Sequence, residues 1–168
     1  MASENIAHRS VCHVYETPLE FFDVINREFG FTIDVAATAQ NTKCSRFFSV
    51  KQNGLSRSWR REVCWMNPPY GRELPRWMRK AYTEARDSAA TVVCLVPART
   101  HTGWFHAYTP QAEVRFLRGR LRYVDTDGEA PFAQLLVIFR PGLARPWGMK
   151  LWEWRPRTKQ QLLFSIAG

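Results

Sequence analysis

Asn67-Pro68-Pro69-Tyr70 is the tetrapeptide of this chain whose residue types could do chemistry together. The Asn67 side chain carries an amide oxygen that accepts a hydrogen bond from an amino group. The carbonyl of Pro68 is a second acceptor, and Tyr70 offers a flat face on which a planar ring can stack. Pro68 and Pro69 stiffen the loop, and Gly71 closes it. An amine attached to an aromatic ring is a poor nucleophile because its lone pair is delocalised into the ring. Two acceptors gripping both of its hydrogens would favour a more tetrahedral nitrogen and free that lone pair for direct attack on an electrophile. Such catalysis works by positioning and electrostatics, with no covalent enzyme intermediate. Taken alone, the tetrapeptide also fits a structural Pro-Pro turn, so its surroundings decide.

The elements around it read as follows. Thr17 is a plausible N-cap, Pro18 suits the first helical position and Glu20 completes a capping box. Phe21, Phe22, Val24, Ile25 and Phe29 then recur at helical spacing, and Gly30 ends the element. Phe31 to Ala37 is a short buried strand carrying one acid, Asp34, and Cys44 to Val50 is a second strand candidate. Glu62 to Met66 is a third, and it ends abruptly at Asn67. Leu74 to Arg86 is an amphipathic helix, with Leu74, Trp77, Met78, Ala81 and Tyr82 on one face and Arg76, Arg79 and Lys80 on the other. Thr91 to Val96 is a continuous apolar run of the kind found in parallel sheets covered on both faces. A loop from Pro97 to Gly103 and an amphipathic piece at Trp104 to Tyr108 follow. Val114 to Tyr123 and Leu135 to Phe139 read as antiparallel strands joined at Asp125 to Glu129. Strands alternating with helices and closed by a hairpin predict an α/β sheet. From Leu143 the periodicity fades into a basic stretch with Arg145, Lys150, Arg155, Arg157 and Lys159 against Glu153, so residues 1–142 are expected as one domain and 143–168 as a basic extension.

At 168 residues, 45% of them hydrophobic, the chain has material for one domain core. No apolar run is long enough to span a bilayer, and Met1 to His13 lacks signal-peptide features, which predicts a cytoplasmic protein without membrane contact. The four cysteines, Cys12, Cys44, Cys64 and Cys94, are widely spaced. They read as reduced structural thiols, and His8, Cys12, His13 and Cys44 match no zinc spacing, so no metal is expected. The net charge is +9, with four Lys/Arg against six Asp/Glu in the first fifty residues, which leaves +11 on the rest. That excess favours a polyanionic partner, of which nucleic acid is the commonest.

Beyond these readings, the chain resembles the phage and prophage DNA N6-adenine methyltransferases of the Dam type. The Asn67 to Tyr70 loop is similar to the Asp/Asn/Ser-Pro-Pro-Tyr/Phe signature of amino methyltransferases. Further matching pieces run in order: Thr17-Pro18 with Phe21-Phe22-Asp23, Glu28 to Thr32 leading into Asp34-Val35-Ala36-Ala37, and Cys44 with Arg46-Phe47-Phe48. Gly54-Leu55 with Trp59, Pro97 to Thr100 with Trp104 to His106, Arg115 to Leu117 with Gly119-Arg120, and Ala130 to Phe132 complete the series. It covers about residues 15–140.

The resemblance implies a Rossmann-like methyltransferase fold, mostly parallel with a closing antiparallel hairpin, that binds S-adenosylmethionine and acts on double-stranded DNA, in the host cytoplasm if phage-encoded. Asn67, Pro68, Pro69 and Tyr70 would be its catalytic loop. Asp34, Val35, Ala36 and Ala37 would be the cofactor loop, with the acid suited to the methionine ammonium, although a buried strand end with a capping Asp fits these residues too. In many amino methyltransferases this loop is Asp-Pro-x-x-Gly, and here Ala36 and Ala37 replace glycines. Thr17 and Pro18 would lie against the cofactor's carboxylate end, and Asn53 near its adenine. Only about thirty residues separate Asp34 from Asn67, too few for two strand–helix units, so the sheet is expected to be reduced. DNA contacts would come from Arg72, Arg76 and Arg79, from Arg99, Thr100 and His101, and from Arg118, Arg120 and Arg122, each of which also fits a solvated surface. His101 and His106 read as packing or DNA-contact residues before general bases, and the absence of a Pro-Cys pair argues against a thiolate nucleophile. N4-cytosine, RNA adenine and release-factor glutamine methyltransferases share the loop, and a non-catalytic basic DNA-binding protein could keep the fold.

Overall fold

The computed structural model describes residues 15–124, 128–143 and 148–155. His8, Cys12, His13, the turn residues 125–127, Arg145, Arg157 and Lys159 lie outside them. Helix α1 spans Leu19–Phe29. Strand β1 is Ile33–Asp34, β2 is Val63–Met66 and β3 is Thr91–Pro97. Helix α2, Leu74–Ser88, joins β2 to β3, and α3, Gly103–Tyr108, leads towards β4, Glu113–Leu117. Strands β5, Gln134–Phe139, and β6, Gly148–Trp152, complete the sheet.

The sheet order is β1-β2-β3-β5-β4-β6. Strands β1, β2 and β3 pair in parallel, β5 runs antiparallel to both β3 and β4, and β6 pairs parallel with β4. Five strands therefore point one way and β5 alone runs against them. This is the expected α/β sheet, mostly parallel, with the antiparallel pair at its far side. It is also reduced, because β1 lies directly beside β2, and a 3-10 turn at Gly54–Ser56 is the helical element described between them.

Alternation along the strands divides the core into two layers. Cys64, Met66, Val92, Cys94 and Val96 face α2 and α3, where they meet Met78, Ala81, Ala85, Trp104 and Phe105. Trp65, Val93, Leu95, Leu136 and Ile138 face α1, against Phe21, Phe22 and Ile25. Helices on both sides explain why β3 and β5 read as unbroken apolar runs.

Several local expectations are corrected. Pro18, not Thr17, holds the cap position of α1, and no side chain caps the helix. The Thr17 hydroxyl is engaged instead by Asn67. The far end of α1 is as expected: Gly30 adopts a left-handed conformation and its N–H bonds the Asn26 carbonyl at 2.8 Å. Within Phe31 to Ala37 only Ile33–Asp34 forms a strand, and Cys44 to Val50 contributes one parallel bridge, Asp34 to Phe47. Side-chain bonds hold the intervening loop out of a ladder: the Thr42 hydroxyl bonds the Cys44 carbonyl at 2.9 Å, and Asp34 accepts the Lys43 amide. Strand β4 stops at Leu117, ahead of Gly119 at φ 76°, well before Tyr123. Strand β6 comes from the stretch whose periodicity had faded, and it carries the sheet past residue 142. Among the described residues no helix is long and apolar enough to cross a membrane.

Candidate active site

The carboxyl ends of β1, β2 and β3 lie along one edge of the sheet, the edge at which open α/β sheets bind ligands. Asn67 leaves the end of β2 there. Its amide NH2 donates to the Tyr15 carbonyl at 2.7 Å and to the Thr17 hydroxyl at 2.9 Å. The Tyr15 carbonyl can only accept, which fixes the NH2 end of the amide towards α1 and leaves the oxygen as the acceptor end. Tyr70 donates its hydroxyl to that Asn67 oxygen at 2.7 Å. Burial first, then the neighbouring Tyr123, holds the Tyr70 hydroxyl protonated far above its ordinary range. A carboxamide oxygen has two lone pairs, so Asn67 keeps one for a further donor.

The Tyr70 ring is not an open platform. Tyr15 stacks on it, with centroids 5.4 Å apart and planes at 29°, and Phe132 meets it edge-on at 5.6 Å. Phe132 also meets Tyr15 edge-on at 5.3 Å, and Tyr123 lies 4.8 Å from Tyr15. Tyr15 thus fills the position a planar ligand would take against Tyr70 and Phe132.

Beside Asn67 the edge opens into a cleft with two arms. The larger arm is mostly apolar, walled by Ala36, Ala37, Phe48, Val50, Leu55, Pro68, Pro69 and Trp77, with Asn53 at its rim. The smaller arm is polar, lined by Glu16, Thr17, Asp34 and Lys43. Tyr15, Ala36, Asn41 and Asn67 border both. Of the residues expected to hold a cofactor, Thr17, Asp34, Ala36, Ala37 and Asn53 line this cleft. Pro18 sits at the start of α1, and Val35 is fully buried in the core, so neither is part of its wall. Tyr15, Glu16, Lys43, Phe48, Val50, Leu55 and Trp77 were missed as lining residues. Phe48 and Leu55 carried a signal, since both stand within the ordered pieces that match the Dam type.

Asp34 is 3% exposed. Desolvation raises its carboxyl to about 6, against the backbone N–H groups of Lys43 and Ala36 and the Lys43 charge. One oxygen accepts the Ala36 amide at 3.3 Å and the other the Lys43 amide at 3.2 Å, so Asp34 ties two loop segments together at the end of β1. Gly54 braces the other wall. A Cβ placed there would lie 2.1 Å from the Val35 carbonyl oxygen, so only glycine lets these segments meet. The Gly54 carbonyl accepts the Trp59 indole N–H at 3.0 Å, and Trp59 stacks on Trp77 behind the apolar arm. Asn53 turns the chain into this contact with φ 54°, a left-handed value asparagine tolerates.

Arg72, Arg76, Arg79, Arg99, Thr100 and His101 are exposed on the loops and helix that follow β2 and β3. Arg76 pairs with Glu73 at 2.6 Å. Strand β4 runs in the same sense as β3, so Arg118, Arg120 and Arg122 leave the sheet at the same edge. All three are exposed, and Arg118 pairs with Glu153 at 3.2 Å. The arginines expected to meet a polyanion thus stand on segments that follow the carboxyl ends of β2, β3 and β4, and none of them lines either arm of the cleft.

The chain is similar in sequence to proteins of one family over most of its length. The family described as DNA N-6-adenine-methyltransferase (Dam) matches residues 5–148. A DNA N-6-adenine-methyltransferase of Haemophilus phage HP1 is 29% identical over 150 residues, which is 84% of this chain and 86% of that protein. One of Escherichia phage T1 is 31% identical over 122 residues, 71% of this chain and 50% of its own length. A crystal structure of a predicted O-methyltransferase from Agrobacterium tumefaciens aligns over 80% of this chain and 83% of its own, with a TM-score of 0.42 and 11% identity. With the family match spanning most of its length, the chain belongs to the Dam-type DNA N-6-adenine-methyltransferases.

Proposed function

We propose that this chain transfers a methyl group from S-adenosylmethionine to the exocyclic N6 amine of an adenine flipped out of double-stranded DNA. The observation that carries the reading is Asn67, fixed with its oxygen as acceptor where the two arms of the cleft meet. The donor set fits the methyl donor: an apolar slot with Trp77 and Asn53 suits an adenosine, and the polar arm, with two carboxylates and a lysine, suits an amino-acid end. Held there by Trp77, Asn53, Glu16, Asp34 and Lys43, S-adenosylmethionine would supply an electrophilic sulfonium methyl group for the amine, with a neutral thioether as the leaving product and the amine's surplus proton going to water.

The chain's own residues do the rest. Asn67 Oδ1 and the Pro68 carbonyl take the two amine hydrogens, which localises the lone pair on nitrogen. The protonated Tyr70 hydroxyl keeps the Asn67 amide in register. The flipped base stacks on Tyr70 and abuts Phe132, displacing Tyr15 from that position. Extrusion of the base costs a few kcal/mol, offset in part by this stacking. Arg72, Arg99, Arg118 and Arg120 contact the DNA backbone around the cleft, with Arg76, Thr100 and His101 beside them. The phage relatives support action in the host cytoplasm. Incubating the protein with labelled S-adenosylmethionine and duplex DNA tests the reading: label must appear as N6-methyladenine, and label in N4-methylcytosine would overturn the choice of base.

A further inference from the structure

We propose that Lys43 and Glu16 form a clamp for the amino-acid end of the methyl donor, with Lys43 taking the α-carboxylate and Glu16, beside Asp34, taking the α-ammonium. The inference rests on the proposed use of S-adenosylmethionine. It begins from an ion pair at the cleft. Lys43 Nζ lies 2.8 Å from Glu16 Oε1, with side-chain exposures of 11% and 22%. Pairs on the open surface, such as Arg76 with Glu73 at 68% and 53%, are far more hydrated. The Lys43–Glu16 pair instead lines the polar arm of the cleft. Among the described residues that border either arm, Lys43 is the one cation. Among the described lining residues, a carboxylate bound in this cleft therefore meets its formal positive charge at Lys43.

The lysine is also held in place. Its amide is fixed by Asp34 at 3.2 Å, and the adjoining Thr42 hydroxyl bonds the Cys44 carbonyl at 2.9 Å. Glu16 precedes Thr17, whose hydroxyl is bonded by Asn67. The pair therefore stands at a fixed offset from the Asn67 amide, so a ligand held by its amino-acid end presents its centre to Asn67. A zwitterion inserted between Lys43 and Glu16 replaces one ion pair with two of the same sense and leaves no charge unpaired. With Asp34 ionised the arm carries a net charge of about −1, complementary to the donor's net positive charge and less so to the uncharged-sulfur product. The clamp therefore favours the donor over the spent product.

The test is calorimetric binding of S-adenosylhomocysteine and of 5′-methylthioadenosine, which keeps the nucleoside and lacks the amino-acid end. Lys43→Met should weaken S-adenosylhomocysteine by about 10- to 100-fold, the range for one charge-assisted hydrogen bond. It should leave 5′-methylthioadenosine within about threefold of wild type, and Lys43→Arg should restore part of the lost affinity. Equal weakening of both ligands would show that the pair only holds the fold and would overturn the clamp. Unchanged S-adenosylhomocysteine affinity would overturn it as well. Wild-type protein that binds neither compound would instead refute the use of this donor, and the clamp with it.

Discussion

Replacing Gly54 with alanine probes how the cleft is built. The added methyl would stand 2.1 Å from the Val35 carbonyl oxygen and 3.2 Å from the Trp77 ring. Ordinary contact begins near 3.4 Å, so backbone must separate from backbone by more than an ångström. The carbonyl cannot swing aside freely, because the Val35 amide is bonded to the Trp65 carbonyl at 3.0 Å in the sheet. The strain therefore falls on the 3-10 turn and on the Gly54 carbonyl bond to Trp59. Overpacking of this kind destabilises by about 1–3 kcal/mol. For a chain of this size that corresponds to a fall in Tm of roughly 2–12 °C. Because the displaced turn carries Asn53 and Leu55, affinity for S-adenosylhomocysteine should fall with it, by about tenfold or more. Thermal unfolding and calorimetric titration of the same preparation read both effects. A Gly54→Ala protein with wild-type Tm and wild-type affinity would refute the close approach and the role of this turn in the cleft wall.

Other perturbations separate chemistry, ionisation and DNA contact. Asn67→Ala should lower kcat by about 100-fold or more while S-adenosylhomocysteine still binds, and a near-wild-type rate would refute the role of its oxygen. Burial raises Asp34 from 3.8 to about 6, so the folded protein retains a proton there that the unfolded chain has released. Stability from this group is therefore greatest below pH 4 and declines by about 3 kcal/mol as pH rises through 6. Asp34→Asn should flatten that decline in denaturant titrations between pH 4 and 7, and an unchanged slope would refute the shift. Arg99→Ala and Arg120→Ala should each reduce the slope of log affinity for duplex DNA against log salt by about 1, measured by fluorescence anisotropy, and unchanged slopes would move the DNA elsewhere.

The parts of the fold written in the sequence are those where burial imposes a pattern. Glu62 to Met66 and Thr91 to Val96 are flanked by α1 on one side and α2 on the other, and their apolar runs announce them. The loop from Asn67 to Tyr70 is legible because two prolines halt a strand. Strand β6 carries no such mark: Met149 and Leu151 are 56% and 88% exposed, and the strand is held by its ladder to β4 and by Lys150 at 2.6 Å from Glu113. Trp152 at its end is the β6 side chain that packs against Phe21 and the core, so the strand leaves no alternation to read. The polar arm was hidden for a different reason. Lys43 and Glu16 lie 27 residues apart in a loop and a helix approach, and the fold alone brings them together. The neighbours of Thr17 fit a helix cap, yet its hydroxyl accepts from Asn67, fifty residues away.

The proposed reaction is methyl transfer to the N6 amine of adenine in DNA. Nucleoside mass spectrometry of mixed-sequence duplex DNA, after reaction with purified protein and isotopically labelled S-adenosylmethionine, tests it most directly. Labelled N6-methyladenine, absent with the Asn67→Ala protein, is the predicted result. Label confined to cytosine, or equal labelling by the Asn67→Ala protein, would contradict it.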